Sequence, residues 1–328
     1  MAVFGVAPAT LLLFVGFGLL VGTLFGFFGT GSFLVPPALL VLGYPAKVAV
    51  GSGLAFIFGT AVIAALKHRD QGQIDFKLGG LFIVGMAAGI EVGKEVVLML
   101  EAAGMVDAVV SVAYILMLAA VGSFMLYDAR TADDEGEAVV ERLERLDLPP
   151  TVSIAGGAEV SLWPTFAVAV GSGILSGFLG VGGGFLLMPV MLYGLGVPAA
   201  VAVGTDVFQI TASGAFGAFV YARQGAVDLS VVMPLLAGSA LGARIGAAAT
   251  SLVEEDEITG YFAAMLLAGA AAVATKRLGT VYGVEVLGTL SVALLLGAAL
   301  LVSGAIVYAS VERLREEGRP SGSSSAAD

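Results

Sequence analysis

Long uncharged windows separated by short polar turns set the rhythm of this chain. No charged residue occurs from Met1 to Ala46, Val48 to Leu66, Ala108 to Tyr127, Val160 to Thr205, Ile258 to Thr275 or Val286 to Val311. A helix that spans a bilayer needs about 20 predominantly apolar residues, and several of these windows satisfy that outright. The alternating segments of about ten residues that mark a membrane β-barrel do not occur. The pattern predicts an all-α, polytopic transmembrane helical bundle. Full-length helices are expected near 9–28, 47–66, 77–100, 105–127, 164–180, 199–221, 229–250, 258–275 and 284–309, nine spans in all. Two further apolar pieces, 32–43 and 184–195, each follow a glycine-rich stretch. Twelve residues of helix reach only ~18 Å, against ~30 Å of hydrocarbon, so these are expected as half-helices or re-entrant segments.

The same glycines and prolines occur twice. Gly22, Gly26, Phe27, Gly29 and Gly31 recur as Gly173, Gly177, Phe178, Gly180 and Gly182, an offset of 151 (173 minus 22). One inserted residue later, Phe33, Leu34 and Pro37 recur as Phe185, Leu186 and Pro189. After one more insertion, Pro45, Ala46, Val48, Ala49, Val50 and Gly51 recur as Pro198, Ala199, Val201, Ala202, Val203 and Gly204. The offset of 153 then holds through Gln71/Gln224, Gly72/Gly225, Asp75/Asp228, Gly85/Gly238, Gly89/Gly242 and Gly93/Gly246. Unrelated apolar helices share Leu and Val by chance, but not this order of Gly, Pro, Gln and Asp. Two homologous repeats are a recurrent plan of helical membrane proteins.

The expected divisions are a first transmembrane repeat (1–127), an acidic linker (128–162), a second repeat with an extra C-terminal helix (163–311) and a disordered tail (312–328). The linker's Glu/Arg-rich middle, Glu137 to Leu146, fits a short surface helix. If the short pieces are re-entrant, each half crosses four times and the repeats run parallel; if they cross, the halves are inverted.

Composition sharpens this picture. Of 328 residues 58% are apolar and 12% charged, with a mean hydropathy of +1.00, whereas soluble domains carry about 25% charge. The absence of Cys and the single His68 remove disulfides, Fe–S clusters, thiolate chemistry and multi-histidine metal sites. The run Gly180 to Gly184 lacks the following Lys-Ser/Thr of a phosphate loop, so ATP-driven work is not encoded. The chain is expected to be no enzyme and to need no cofactor or metal. Its expected surroundings are the bilayer of the cell membrane, with no nucleic-acid partner and with a homo-oligomer left open. The first ten residues carry no Lys or Arg, unlike a secretory signal, so this end is expected to stay in the mature protein.

Backbone that is not helical at membrane depth persists only when buried in protein or facing an aqueous cavity. The two glycine breaks are therefore the candidate site. Half-helix N-termini carry unpaired N–H groups and a partial positive charge, which can hold an anion without a buried cation. The first half offers Gly29, Thr30, Gly31 and Ser32, with Gly51 and Ser52 at the next helix start. The second offers Gly180, Gly182, Gly183, Gly184, Gly204, Thr205 and Gln209. The competing reading is packing alone, because small residues also let membrane helices approach closely.

Asp206 stands apart, since a carboxylate within an apolar span costs about 2.5 to 3.5 kcal/mol on insertion scales. Two roles fit it: a proton carrier that couples transport, or a cap on the broken helix. Its counterpart in the first half is Gly53. Asp75 and Asp228, each after a Gln-Gly turn, read as helix caps. Glu91, Lys94 and Glu95 share one helix, where either an ion pair or a helix end in headgroups fits. His68 reads as a solvated interfacial residue.

The string Gly26-Phe27-Phe28-Gly29-Thr30-Gly31-Ser32-Phe33-Leu34-Val35-Pro36 resembles the pattern of the TauE/SafE sulfite-exporter family. Gly177 to Pro189 resembles it more closely, and Ala-Val-Gly-Ser/Thr follows at 49–52 and 202–205. The similarity covers about 10–127 and 163–310; Thr30, Ser32 and the Pro36-Pro37 pair depart from the second half's version. The resemblance implies a secondary transporter of a small sulfur-containing or organic anion, most simply an exporter of sulfite or an organosulfonate. A passive anion channel, a carrier of a non-sulfur organic anion and a non-transporting scaffold are the alternatives.

Overall fold

The computed structural model describes residues 8–28, 31–128, 149–153, 159–249, 252 and 255–317. Its helices are α1 (Pro8–Phe28), α2 (Val35–Val41), α3 (Ala46–Asp70), α4 (Phe76–Ala102), α5 (Val106–Asp128), α6 (Leu162–Leu179), α7 (Gly184–Pro189), α8 (Ala199–Ala222), α9 (Leu229–Ala249), α10 (Glu255–Tyr282) and α11 (Glu285–Glu317). A 3₁₀ turn, Gly31–Leu34, leads into α2, and a π turn, Val190–Gly194, continues α7. The two short pieces are therefore real interruptions between full helices.

Among the described residues eight helices are long and apolar enough to cross a membrane. The ninth expected span, α4, is 27 residues long but carries Lys77, Glu91, Lys94, Glu95 and Glu101. Lys94 is buried and pairs with both Glu91 and Glu95, so this charge cluster is settled within its own helix. Asp75 caps α4 by accepting from the amides of Lys77 and Leu78 at 2.9 and 3.0 Å. Asp228 accepts from the Ser230 amide at 2.9 Å at the matching start of α9.

Glycine fixes which helices meet. Along α1, a Cβ at Gly18, Gly22 or Gly26 would stand 2.2 to 2.4 Å from the carbonyl oxygens of Leu235, Ser239 and Ala243 on α9. On α4, Gly85, Gly89 and Gly93 meet Ala169, Val170 and Ile174 of α6 just as closely. No other side chain permits such backbone contact, in which close packing replaces the hydrophobic drive that lipid removes. The pairing is crosswise. The first helix of each sequence half lies on the third helix of the other.

The order of contacts gives direction. Partners advance together along α1 and α9 and along α4 and α6, so those pairs are parallel. The start of α3 meets the end of α8 (Gly51 on Ala226), and the start of α8 meets the end of α3 (Gly204 on Gln73). Gly122 meets Leu266 while Gly269 meets Leu118. Thus α3 and α8, and likewise α5 and α10, run antiparallel. The sequence matches α3 to α8 and α5 to α10, so matched helices point in opposite directions.

A small antiparallel hairpin, β1 (Thr151–Ser153) with β2 (Glu159–Ser161), precedes α6 where the sequence suggests only a linker. At the other end α11 continues to Glu317, into residues assigned to the tail. The expected surface helix at 137–146 and the tail beyond 317 lie outside the described residues.

Candidate functional site

The break of the second half lies inside the helix bundle, against the first half of α3. Helix α6 ends at Gly180, whose φ of +72° is left-handed and whose amide donates to the Ser176 carbonyl at 2.6 Å. Gly182 and Gly183 follow at φ +81° and +77°, so three of five consecutive residues need a conformation that side-chain-bearing residues resist. The chain thereby turns back within the bundle. A Cβ on Gly182 would meet Ile57, from the middle of α3, at 3.2 Å and Ile210, from the middle of α8, at 3.9 Å. On Gly183 it would meet Met86 of α4 and lie 3.6 Å from Ser172 Cβ of α6. Four helices converge on three glycines.

Asp206 joins them from α8. Its carboxyl group lies against Gly184, with Oδ2 2.6 Å from where a Cβ on that glycine would stand. Gly184 is the residue inserted in the second half, and only a glycine leaves room for the carboxyl. The Gln209 amide donates to Asp206 Oδ1 at 3.1 Å, and the Ser213 hydroxyl donates to Gln209 Oε1 at 3.3 Å. This polar ladder is buried: Asp206 is 4% exposed, Gln209 0% and Ser213 1%. Polar side chains buried within an apolar helix make this ladder the candidate site.

Other expected site residues have different surroundings. The Ser52 hydroxyl accepts from the Asp228 amide at 3.0 Å, and the Thr205 hydroxyl accepts from the Asp75 amide at 2.9 Å. Each ties a helix start in one half to a helix in the other. Gly51 and Gly204 sit at the same two crossings, where a Cβ would stand 2.2 Å from the Ala226 oxygen or 2.0 Å from the Gln73 oxygen. These four residues form two matched ties at opposite ends of α3 and α8; the first lies beside the break, since a Cβ on Gly53 would stand 3.1 Å from the Gly180 oxygen. Helix α7 is six residues long, so few aligned peptides stand behind its N-terminus. Gly29 and Thr30 lie outside the described residues, and Gly31 and Ser32 open the 3₁₀ turn.

The first half lacks the ladder. Where the second half has Asp206, the first has Gly53, and a Cβ there would stand 2.4 Å from Pro36 Cγ. Pro36 fills that space. His68 donates from Nδ1 to Gln73 Oε1 at 2.7 Å, at one of the two ties. An open cleft of about 840 Å³ at the turn between α10 and α11, lined by Lys276, Thr280, Glu285 and Thr289, holds none of the expected site residues.

Sequence reasoning missed Ser172, Ser176, Ser213 and Tyr221. The Tyr221 hydroxyl is buried and donates to the Gly177 carbonyl at 2.6 Å, pinning the last turn of α6. Ser172 Oγ and Ser176 Oγ are buried and have no hydrogen-bond partner among the described residues.

A model of the family described as "Sulfite exporter TauE/SafE" matches residues 14–273. A "probable membrane transporter protein" of Xylella fastidiosa (strain 9a5c) is 26% identical over 241 residues, 72% of this chain and 84% of the relative. Two proteins of Bacillus subtilis (strain 168) carry the same description. YunE is 25% identical, over 70% of this chain and 85% of its own length. YjnA is 28% identical, over 70% and 86%. No solved structure matches.

Proposed function

The chain belongs to the sulfite exporter TauE/SafE family, and from that premise we propose that it exports a small oxyanion, sulfite or an organosulfonate, across the cytoplasmic membrane. Membership and its apolar helices make it a multi-pass membrane transporter. The anion, the direction and the coupling are our reading. One observation carries it: a buried carboxyl group, Asp206, against the glycine break.

A protonated carboxyl is a hydrogen-bond donor, whereas an ionised one only accepts. Facing a bound anion, the first attracts and the second repels. Proton and anion therefore bind together at the break, and anion affinity rises as pH falls. That linkage distinguishes a carrier from a passive channel, which needs no coupling residue.

Two homologous halves in inverted orientation complete the proposal. Its support is the antiparallel course of α3 and α8 and of α5 and α10, at positions 153 apart through α3 and α8. Inverted halves are a device by which a mid-depth site is offered to either side in turn.

The test is flux into liposomes holding the purified protein, with labelled sulfite, with chloride, sulfate and taurine as competitors, and with or without an imposed pH gradient. Saturable, gradient-sensitive uptake is expected, and Asp206→Asn should keep uptake while removing its pH dependence. An Asp206→Asn protein whose flux still follows pH like the parent would leave Asp206 a capping role. No flux of any of these anions in folded protein would overturn the substrate reading.

A further inference from the structure

Resting on that reading, we infer that the Ser172 and Ser176 hydroxyls contact the substrate oxyanion, and that the second half alone holds it. Hydroxyls in apolar helices ordinarily satisfy themselves by donating to a carbonyl one turn back. This chain does so repeatedly. Thr23 donates to Leu19, Ser111 to Asp107, Thr165 to Ser161, Thr211 to Val207 and Ser310 to Ile306. Ser172 and Ser176 do not, although both lie within α6 with a carbonyl four residues behind.

Both are wholly enclosed, at 2% and 0% exposure. A buried hydroxyl left unpaired is a standing cost that a partner at the break would relieve. The two residues are one helical turn apart and share a face. That face borders the break, since Ser172 Cβ lies 3.6 Å from the Cβ position of Gly183. Across the glycines stands the Asp206, Gln209 and Ser213 ladder. Two neutral donors on one side and a carboxyl that donates only when protonated on the other suit a compact ion that only accepts, such as a sulfite or sulfonate group.

Among the described residues the first half offers no such place. By the sequence offsets of 151 and 153, the counterparts of Ser172, Ser176, Asp206, Gln209 and Ser213 are Val21, Phe25, Gly53, Phe56 and Thr60. Four of the five are apolar or glycine, and Thr60 donates back to Phe56 and Ile57. Pro36 occupies the space beside Gly53. The fold is thus two-sided in its helices but one-sided in its chemistry.

Calorimetric titration of the purified protein with sulfite and with methanesulfonate tests this. Ser172→Ala and Ser176→Ala should each weaken binding about tenfold, the loss of one hydrogen bond to an anion. Neither should lower the thermal midpoint of the anion-free protein, because neither hydroxyl has a partner to lose among the described residues. Thr60→Ala, on the first half, should bind as the parent does. Parent-like affinity in both serine variants would overturn the inference while leaving anion transport standing. So would a fall in midpoint at unchanged affinity, or a loss in Thr60→Ala equal to that in the serine variants. A parent protein that binds neither anion and carries no flux would remove the reading itself, and the inference with it.

Discussion

Ser52 and Thr205 show how one residue type serves two ends. As hydroxyls beside glycines at helix starts they read as anion ligands, yet each already accepts a backbone amide from the other half, from Asp228 and Asp75 respectively. Replacing either with Ala leaves a buried amide unpaired, so Ser52→Ala and Thr205→Ala should each destabilise by about 1 to 3 kcal/mol. Sulfite affinity should stay within about twofold of the parent, since each hydroxyl already serves a backbone amide of the other half. Chemical denaturation and titration on the same samples check both halves of that statement. Asp206 and Gln209 were legible because a carboxyl and an amide are out of place in an apolar span. Ser172 and Ser176 were not, because serine is an ordinary small residue of membrane helices. Whether its hydroxyl turns back to its own helix depends on a rotamer, and no spacing rule encodes that.

At the level of elements, glycine decides between approach and separation. A Cβ on Gly242 would stand 2.0 Å from the Leu19 oxygen, whereas one on Gly16, in α1 of the same helix pair, meets nothing within 4 Å. Gly242→Ala must push α1 and α9 apart and should cost about 1 to 3 kcal/mol, as overpacking does. Gly16→Ala only removes a flexible residue from a helix and should be neutral or stabilise by up to about 1 kcal/mol. Thermal unfolding in one detergent compares them, and equal midpoints would mean that the helix pair does not govern stability. Helix positions could be read from the uncharged windows because backbone in lipid must close its own hydrogen bonds. Most observed limits fall within a few residues of the expected spans. Partner choice could not be read, since the matched glycines say that close contact occurs but not with which helix. The short hairpin before α6 carries no apolar periodicity of its own and was equally hidden.

For the molecule as a whole, direction matters more than shape. The sequence alone left parallel and inverted halves open, because twelve residues either cross or return. The contacts of α3 with α8 place Gln71, at the end of α3, and Gln224, at the end of α8, at opposite ends of the bundle. Both are exposed, and the two are matched at an offset of 153. In a bilayer the proposed inversion puts them in different compartments, whereas parallel halves would put both in one. The side follows from charge. Helix α5 ends and α6 begins at the end where Gln71 lies, and Arg69, Lys77, Arg313 and Arg315 stand there. From the excess of Lys and Arg we propose that this end faces the cytoplasm. The chain contains no Cys, so Gln71→Cys and Gln224→Cys are unambiguous reporters. A membrane-impermeant maleimide applied to intact cells should label Gln224→Cys and leave Gln71→Cys untouched until the cells are opened. Labelling of both from one side would overturn the inversion, and labelling of Gln71→Cys alone would keep it while reversing the orientation.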